Sequence, residues 1–232
     1  MLKKSVPNIF TVANLFMGII AIILVFNDTP AFDGIDNANL AAIMVIVAML
    51  MDGIDGRVAR ALNVTSEFGK ELDSLSDVIS FGVAPAFIMY VVAFSDLNPA
   101  TAWITTAIFP ICGALRLARF NVVQSTPGYF IGLPIPAAGG ILCTLALFHQ
   151  ELNSYFLVAS TLFLSYLMVS KVKYPSFKKV ALPKIAVWIL MLIVVAAVVV
   201  VIMYPHYLTR MVFVPLVIYA LWGTFQGLKR KR

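Results

Sequence analysis

The chain has 232 residues, 61% of them hydrophobic and only 12% charged, with a net charge of +6. Soluble domains run at about 45–50% apolar and about 25% charged, so this composition excludes an ordinary soluble globule and points to an all-α integral membrane protein. The basic residues sit at the ends of apolar runs rather than along one face, which argues against a nucleic-acid partner. Cys112 and Cys143 fall inside apolar runs and read as small packing residues, not as a disulfide.

A helix needs about 20 apolar residues to cross a bilayer. In chain order, eight segments meet or approach that length: 9–26, 40–62, 73–94, 101–117, 131–148, 155–172, 185–203 and 211–228. The first follows Lys3 and Lys4, as a signal peptide would, but no small-residue cleavage site comes after it, so it reads as a retained helix. The second is purely apolar only over 40–51, too short to span alone. It must draw in the residues that follow, which holds Asp52 and Asp55 at or below the membrane surface. The seventh carries no polar side chain, whereas Pro215 interrupts the eighth. No internal repeat is visible, and residues 1–232 read as a single membrane domain.

Lys and Arg favour the cytoplasmic side of a membrane. With eight spans and both termini cytoplasmic, 16 of the 17 basic residues fall on that side and only Arg210 falls opposite. The external loops receive Asp28, Asp33, Asp36, Asp96 and Glu151. This places the protein in the cytoplasmic membrane, with the second and third spans meeting on the cytoplasmic side.

Four aspartates cluster at that junction. Asp52 and Asp55 are spaced i, i+3, and Asp73 and Asp77 i, i+4, so each pair leaves one face of its helix. If Gly69 loosens the connection, the pairs meet at similar depth. Four such carboxylates repel one another, and divalent cations bound through hard oxygen ligands are the simplest way to hold them. Ionisable residues within a membrane are functional by default, and a metal centre at a membrane surface suits phosphoryl transfer. Gly56 and Ala59 lie on or beside the same face, where small residues either admit a ligand or let helices pack closely. Arg60 either clamps a phosphate or snorkels to the interface. Asn8, Thr11 and Asn14, at i, i+3 and i+6, could reach a ligand from the first span or simply bond to neighbouring helices.

These residues carry a resemblance. Asp52-x-x-Asp55-Gly56-x-x-Ala59-Arg60, eight residues, then Gly69-x-x-x-Asp73-x-x-x-Asp77 resembles, without a departure, the signature of the CDP-alcohol phosphatidyltransferases. The resemblance implies a six-helix catalytic core, here 1–172, with two additional C-terminal helices and a basic tail in 173–232, and a homodimer. It implies that Asp52, Asp55, Asp73 and Asp77 ligate two divalent cations, Mg2+ or Mn2+, with Asp77 also the general base. Gly56, Ala59 and Gly69 would make room for the CDP moiety, Arg60 would sit by its phosphates, and Asn8, Thr11 and Asn14 would flank it.

That signature does not choose the acceptor alcohol. GALRLARFNV (113–122) and FIGLPIPAAGG (130–140) resemble matching regions of one branch, the integral-membrane phosphatidylserine synthases. That branch implies CDP-diacylglycerol and L-serine as substrates, with CMP released. Serine brings a carboxylate that wants a fixed cation, and Arg116 and Arg119 stand i, i+3 at the cytoplasmic end of the fourth span. Glycerol phosphate or inositol phosphate would need more positive charge than these and Lys70 and Lys171 offer, but sibling enzymes using them remain alternatives. A secondary transporter is the alternative of another class. It is disfavoured because transporters show repeats and broken helices near the midplane, whereas these acids gather at one surface.

Overall fold

The structure is a computed structural model that describes residues 2–175 except 33, 63, 65 and 123–128. For 2–7, 54–55, 57–62, 129–130, 173 and 175 it describes the backbone alone. The expected seventh and eighth spans, 185–203 and 211–228, lie outside the described residues. The helices are α1 (Leu2–Val25), α2 (Asn37–Leu62), α3 (Glu67–Asp77), α4 (Ala84–Met89), α5 (Pro99–Val122), α6 (Ile135–Leu147) and α7 (Ser154–Val169). α3 and α4 belong to one continuous rod, Glu67–Phe94, joined by a π segment at Val78–Val83 and ended by a second at Tyr90–Phe94.

Among the described residues, Asn8–Val25, Glu67–Phe94 and Pro99–Val122 are long and apolar enough to cross a membrane, and Asn37–Gly53, Ile135–Leu147 and Ser154–Val169 are shorter apolar helices. By length and composition this is an integral membrane protein built of helices.

The expected helix at 131–148 starts later. Tyr129–Ile131 forms a strand, β1, paired antiparallel with β2 (Lys173–Pro175), in the register Phe130 opposite Tyr174. Two local features stop the helix from extending backwards. Gly132 adopts φ of +78°, in the left-handed region, and Pro134 biases Leu133 away from helical geometry. α6 therefore starts just after Pro134, its N-cap. Among the described residues the chain is helical but for this short two-stranded ribbon, in keeping with the all-α class.

A proline also explains the first π segment. Pro85 has no N–H to give the carbonyl of Phe81, and the rod passes this point with wider bonding, Ala84 N–H reaching Ile79 O. α6 lies at the centre of the core, packed against α4, the first π segment, α2 and α7. Its run Ala137-Ala138-Gly139-Gly140 is buried, small residues letting backbones approach where hydrophobicity alone cannot drive helices together. At Gly139 the neighbour is the Phe81 backbone itself, which a Cβ would strike. α1 runs along α2 and also packs against α3 and the first π segment, so it is the element those two share.

Because backbone cannot yield as a flexible side chain can, Gly139→Ala should cost about 1–3 kcal/mol. Thermal unfolding in detergent should show a clearly lowered midpoint, whereas Gly53→Ala, at a position with open space, should leave it level or slightly raised.

Candidate metal centre

α2 carries Asp52 towards its C-terminal end, and α3 begins after only four intervening residues, 63–66. Ser66 ends the connection. Its backbone is extended and its Oγ accepts from Gly69 N–H at 3.0 Å, an N-cap that starts α3. Gly69 therefore does not loosen the connection, as its composition suggested; it lies inside the first turn of α3. Its smallness serves packing, since a Cβ there would stand 3.1 Å from both Asn8 Oδ1 and Ser66 Oγ.

The structure brings Asp52, Asp73 and Asp77 together, each offering a ligand oxygen within 4.8 Å of the others. Asp77 is buried and the other two are half-buried. Like charges this close and this dry repel one another, and a bound cation relieves that repulsion. An all-oxygen donor set drawn from two helices fits a hard divalent cation. Asp55, Ala59 and Arg60 lie on the same stretch of α2, where the structure describes backbone alone, and Gly56 is half-buried there.

α1 closes the centre from the side. Asn14 is fully buried, and its Nδ2 donates to Asp77 Oδ1 at 3.5 Å. Ser76 Oγ donates to the carbonyl of Thr11 at 3.3 Å, and Ser80 Oγ to that of Asn14 at 2.9 Å. Gly18 allows this approach, because a Cβ there would strike Ser80. Asn8 and Asn14 thus meet different parts of α3, Asn8 beside Gly69 and Asn14 beside Asp77. Sequence reasoning did not single out Ser76 and Ser80, although their i, i+4 spacing around Asp77 was a signal: two small donors on one face of an apolar helix.

The two arginines of α5 part company. Arg116 is buried. Arg119 turns to the C-terminus of α7: Nη1 donates to Val169 O at 2.9 Å, and Nη2 to Ile131 O at 3.1 Å, Ser170 O at 3.3 Å and Met168 O at 3.4 Å. A guanidinium fork suits the orphan carbonyls and negative dipole end of a helix. Gly132 lies against the same carbonyl of Met168 and the same guanidinium. Asn121, also missed in the sequence, ties the end of α5 to α3 by donating from Nδ2 to Ser74 Oγ at 3.0 Å.

Apolar rods whose carboxylates converge at one set of helix ends define a class: an integral membrane protein with a centre built for a divalent cation. Residues 4–167 match the family model described as CDP-alcohol phosphatidyltransferase, and the chain belongs to that family. It is 41% identical over 187 residues to the CDP-diacylglycerol--serine O-phosphatidyltransferase of Helicobacter pylori, covering 75% of this chain and 73% of the relative. It is 40% identical over 175 residues to the protein of that name from Bacillus subtilis, covering 75% and 92%. It is 37% identical over 177 residues to the archaetidylserine synthase of Methanothermobacter thermautotrophicus, covering 74% and 70%.

A single ammonium cannot span four carbonyls, so Arg119→Lys should lower the thermal midpoint in detergent by several degrees. Limited proteolysis should then cut more readily near 170, and an unchanged cleavage pattern would remove the clamp from the account.

Proposed function

We propose that this protein transfers the phosphatidyl group of CDP-diacylglycerol to the hydroxyl of L-serine and releases CMP. The convergence of Asp52, Asp73 and Asp77, in a chain whose relatives carry that activity in their names, is the observation that carries this reading. Asp52, Asp55, Asp73 and Asp77 would hold two divalent cations, Mg2+ or Mn2+, which supply positive charge for the diphosphate and the departing CMP.

The chain's own residues do the rest. Asp77 is the general base: a hydroxyl is a weak nucleophile until a group within hydrogen-bond reach takes its proton. The serine oxygen then bonds to the lipid-side phosphorus, the bond to the CMP oxygen breaks, and no covalent enzyme intermediate forms. Gly56, Ala59 and Gly69 leave room for the nucleotide, Arg60 stands by its phosphates, and Asn8 and Thr11 flank it from α1. Arg116 holds the serine carboxylate; its burial on α5, whose end is tied to α3 through Asn121 and Ser74, supports this. Arg119, committed to α7, acts on serine by positioning this end of α5.

The remaining architecture follows from charge and length. We take residues 1–172 as the catalytic core and 173–232 as two further spans with a basic tail, giving eight spans with both termini in the cytoplasm. The active site then faces the cytoplasm from the cytoplasmic membrane, among lipids that supply one substrate, and the working unit is a homodimer.

Purified protein in detergent, supplied with CDP-diacylglycerol and Mg2+ or Mn2+, should release CMP when serine is added and stop when a chelator removes the metal. Release with glycerol phosphate or inositol phosphate instead would assign it to a sibling activity, and no CMP from any acceptor would favour transport. Asp77→Asn should lower turnover by about 10²–10⁴-fold while CDP binding, read by calorimetry, changes far less. Near-normal turnover in that variant would rule out the base.

A further inference from the structure

We infer that Asn14 selects the acceptor by taking a hydrogen bond from its ammonium group, an inference that rests on the serine-transferase reading above. Asn14 is fully buried, and its amide has two unlike ends. Nδ2 donates to Asp77 Oδ1 at 3.5 Å, whereas among the described residues no donor reaches Oδ1. The nearby hydroxyls of the rod are committed elsewhere, Ser76 of α3 to the Thr11 carbonyl and Ser80 of the first π segment to the carbonyl of Asn14 itself. Nor does turning the amide over relieve the orphan, because Oδ1 would then face a carboxylate oxygen. Buried acceptors in proteins are almost always satisfied, so an orphan fixed beside the proposed base calls for a donor brought by a ligand.

The acceptor alcohol brings one. Serine has a hydroxyl, whose proton goes to Asp77, a carboxylate that only accepts, and an ammonium that only donates. The ammonium sits on the carbon next to the one bearing the hydroxyl. A hydroxyl held at Asp77 therefore puts the ammonium within reach of a side chain that itself touches Asp77. Phosphorylated acceptors such as glycerol phosphate offer only a neutral hydroxyl at that carbon, a weaker donor than an ammonium, so Oδ1 favours an amino alcohol over them. The nucleotide also has donors, on its ribose and its base, and the test separates the two sources.

The probe is 3-hydroxypropionate, which is serine without its ammonium. The quantity to measure is its inhibition constant divided by the Michaelis constant for serine, in the wild type and in Asn14→Ala. Loss of a hydrogen bond to a charged donor should shrink that ratio about tenfold or more, with the Michaelis constant for CDP-diacylglycerol within about twofold of wild type. An asparagine that only packs helices would lower turnover without moving the ratio. An unchanged ratio overturns the inference, and so does an effect confined to CDP-diacylglycerol. Should Asn14→Ala fail to fold, Asn14→Asp keeps an acceptor oxygen and should hold the preference for serine at or above wild type; a lost preference there overturns it equally. Wild-type protein that forms no CMP with serine would instead sink the functional reading itself.

Discussion

Three carboxylates whose oxygens approach within 4.8 Å at the end of a membrane helix bundle are the constraint on which the rest depends. Left alone they would push one another apart; a multivalent cation removes that conflict, but only if the helices hold the ligands in register. α1 provides the hold. It packs along α2 and against α3, its carbonyls at Thr11 and Asn14 take hydrogen bonds from Ser76 and Ser80, and Gly18 and Gly69 keep the contact close. In lipid, where apolar side chains gain little by leaving their surroundings, such short polar contacts and small residues do the work of association. The same serines that dock α1 flank Asp77, so the packing of one helix and the aim of one acid are set by one set of contacts.

The rest of the fold carries that register outward. The rod Glu67–Phe94 begins at the carboxylates and widens into π geometry directly after Asp77, where Pro85 denies the Phe81 carbonyl its usual partner. π segments often mark functional sites, and here the irregularity falls directly after Asp77, which meets α1 through Asn14. Small residues of α6 then back the rod from behind. At the other edge Arg119 gathers the last carbonyls of α7 and the end of β1, making one block of α5, α7 and the ribbon. Asn121 joins that block to α3, so the buried Arg116 belongs to a block tied to the helix that carries Asp73 and Asp77.

Several of these features were legible in the residue pattern because they depend only on local periodicity. Charges are rare in this chain, so the spacing of Asp52, Asp55, Asp73 and Asp77 stood out, and helical repeat alone put each pair on one face. The apolar runs fell where α1, the α3–α4 rod and α5 lie. Gly69 was misjudged for a local reason: glycine is a turn residue in isolation, and only the Ser66 cap shows that the helix has already begun. The ribbon at Tyr129–Ile131 escaped because its partner strand lies more than forty residues away, beyond the reach of any window.

By itself, then, the order of residues determined the membrane class, the family and the acids that gather, since each follows from composition or from spacing within one helix. Tertiary structure decided what the polar residues meet. Arg116 and Arg119 are indistinguishable by type and share one helix, yet one is buried on α5 and the other caps α7. Asn8 and Asn14 both stand on α1, yet among the described residues Asn14 reaches an acid while Asn8 lies beside Gly69. The reason is physical: periodicity specifies the direction in which a side chain leaves its own helix, whereas its partner depends on which other helix occupies that direction.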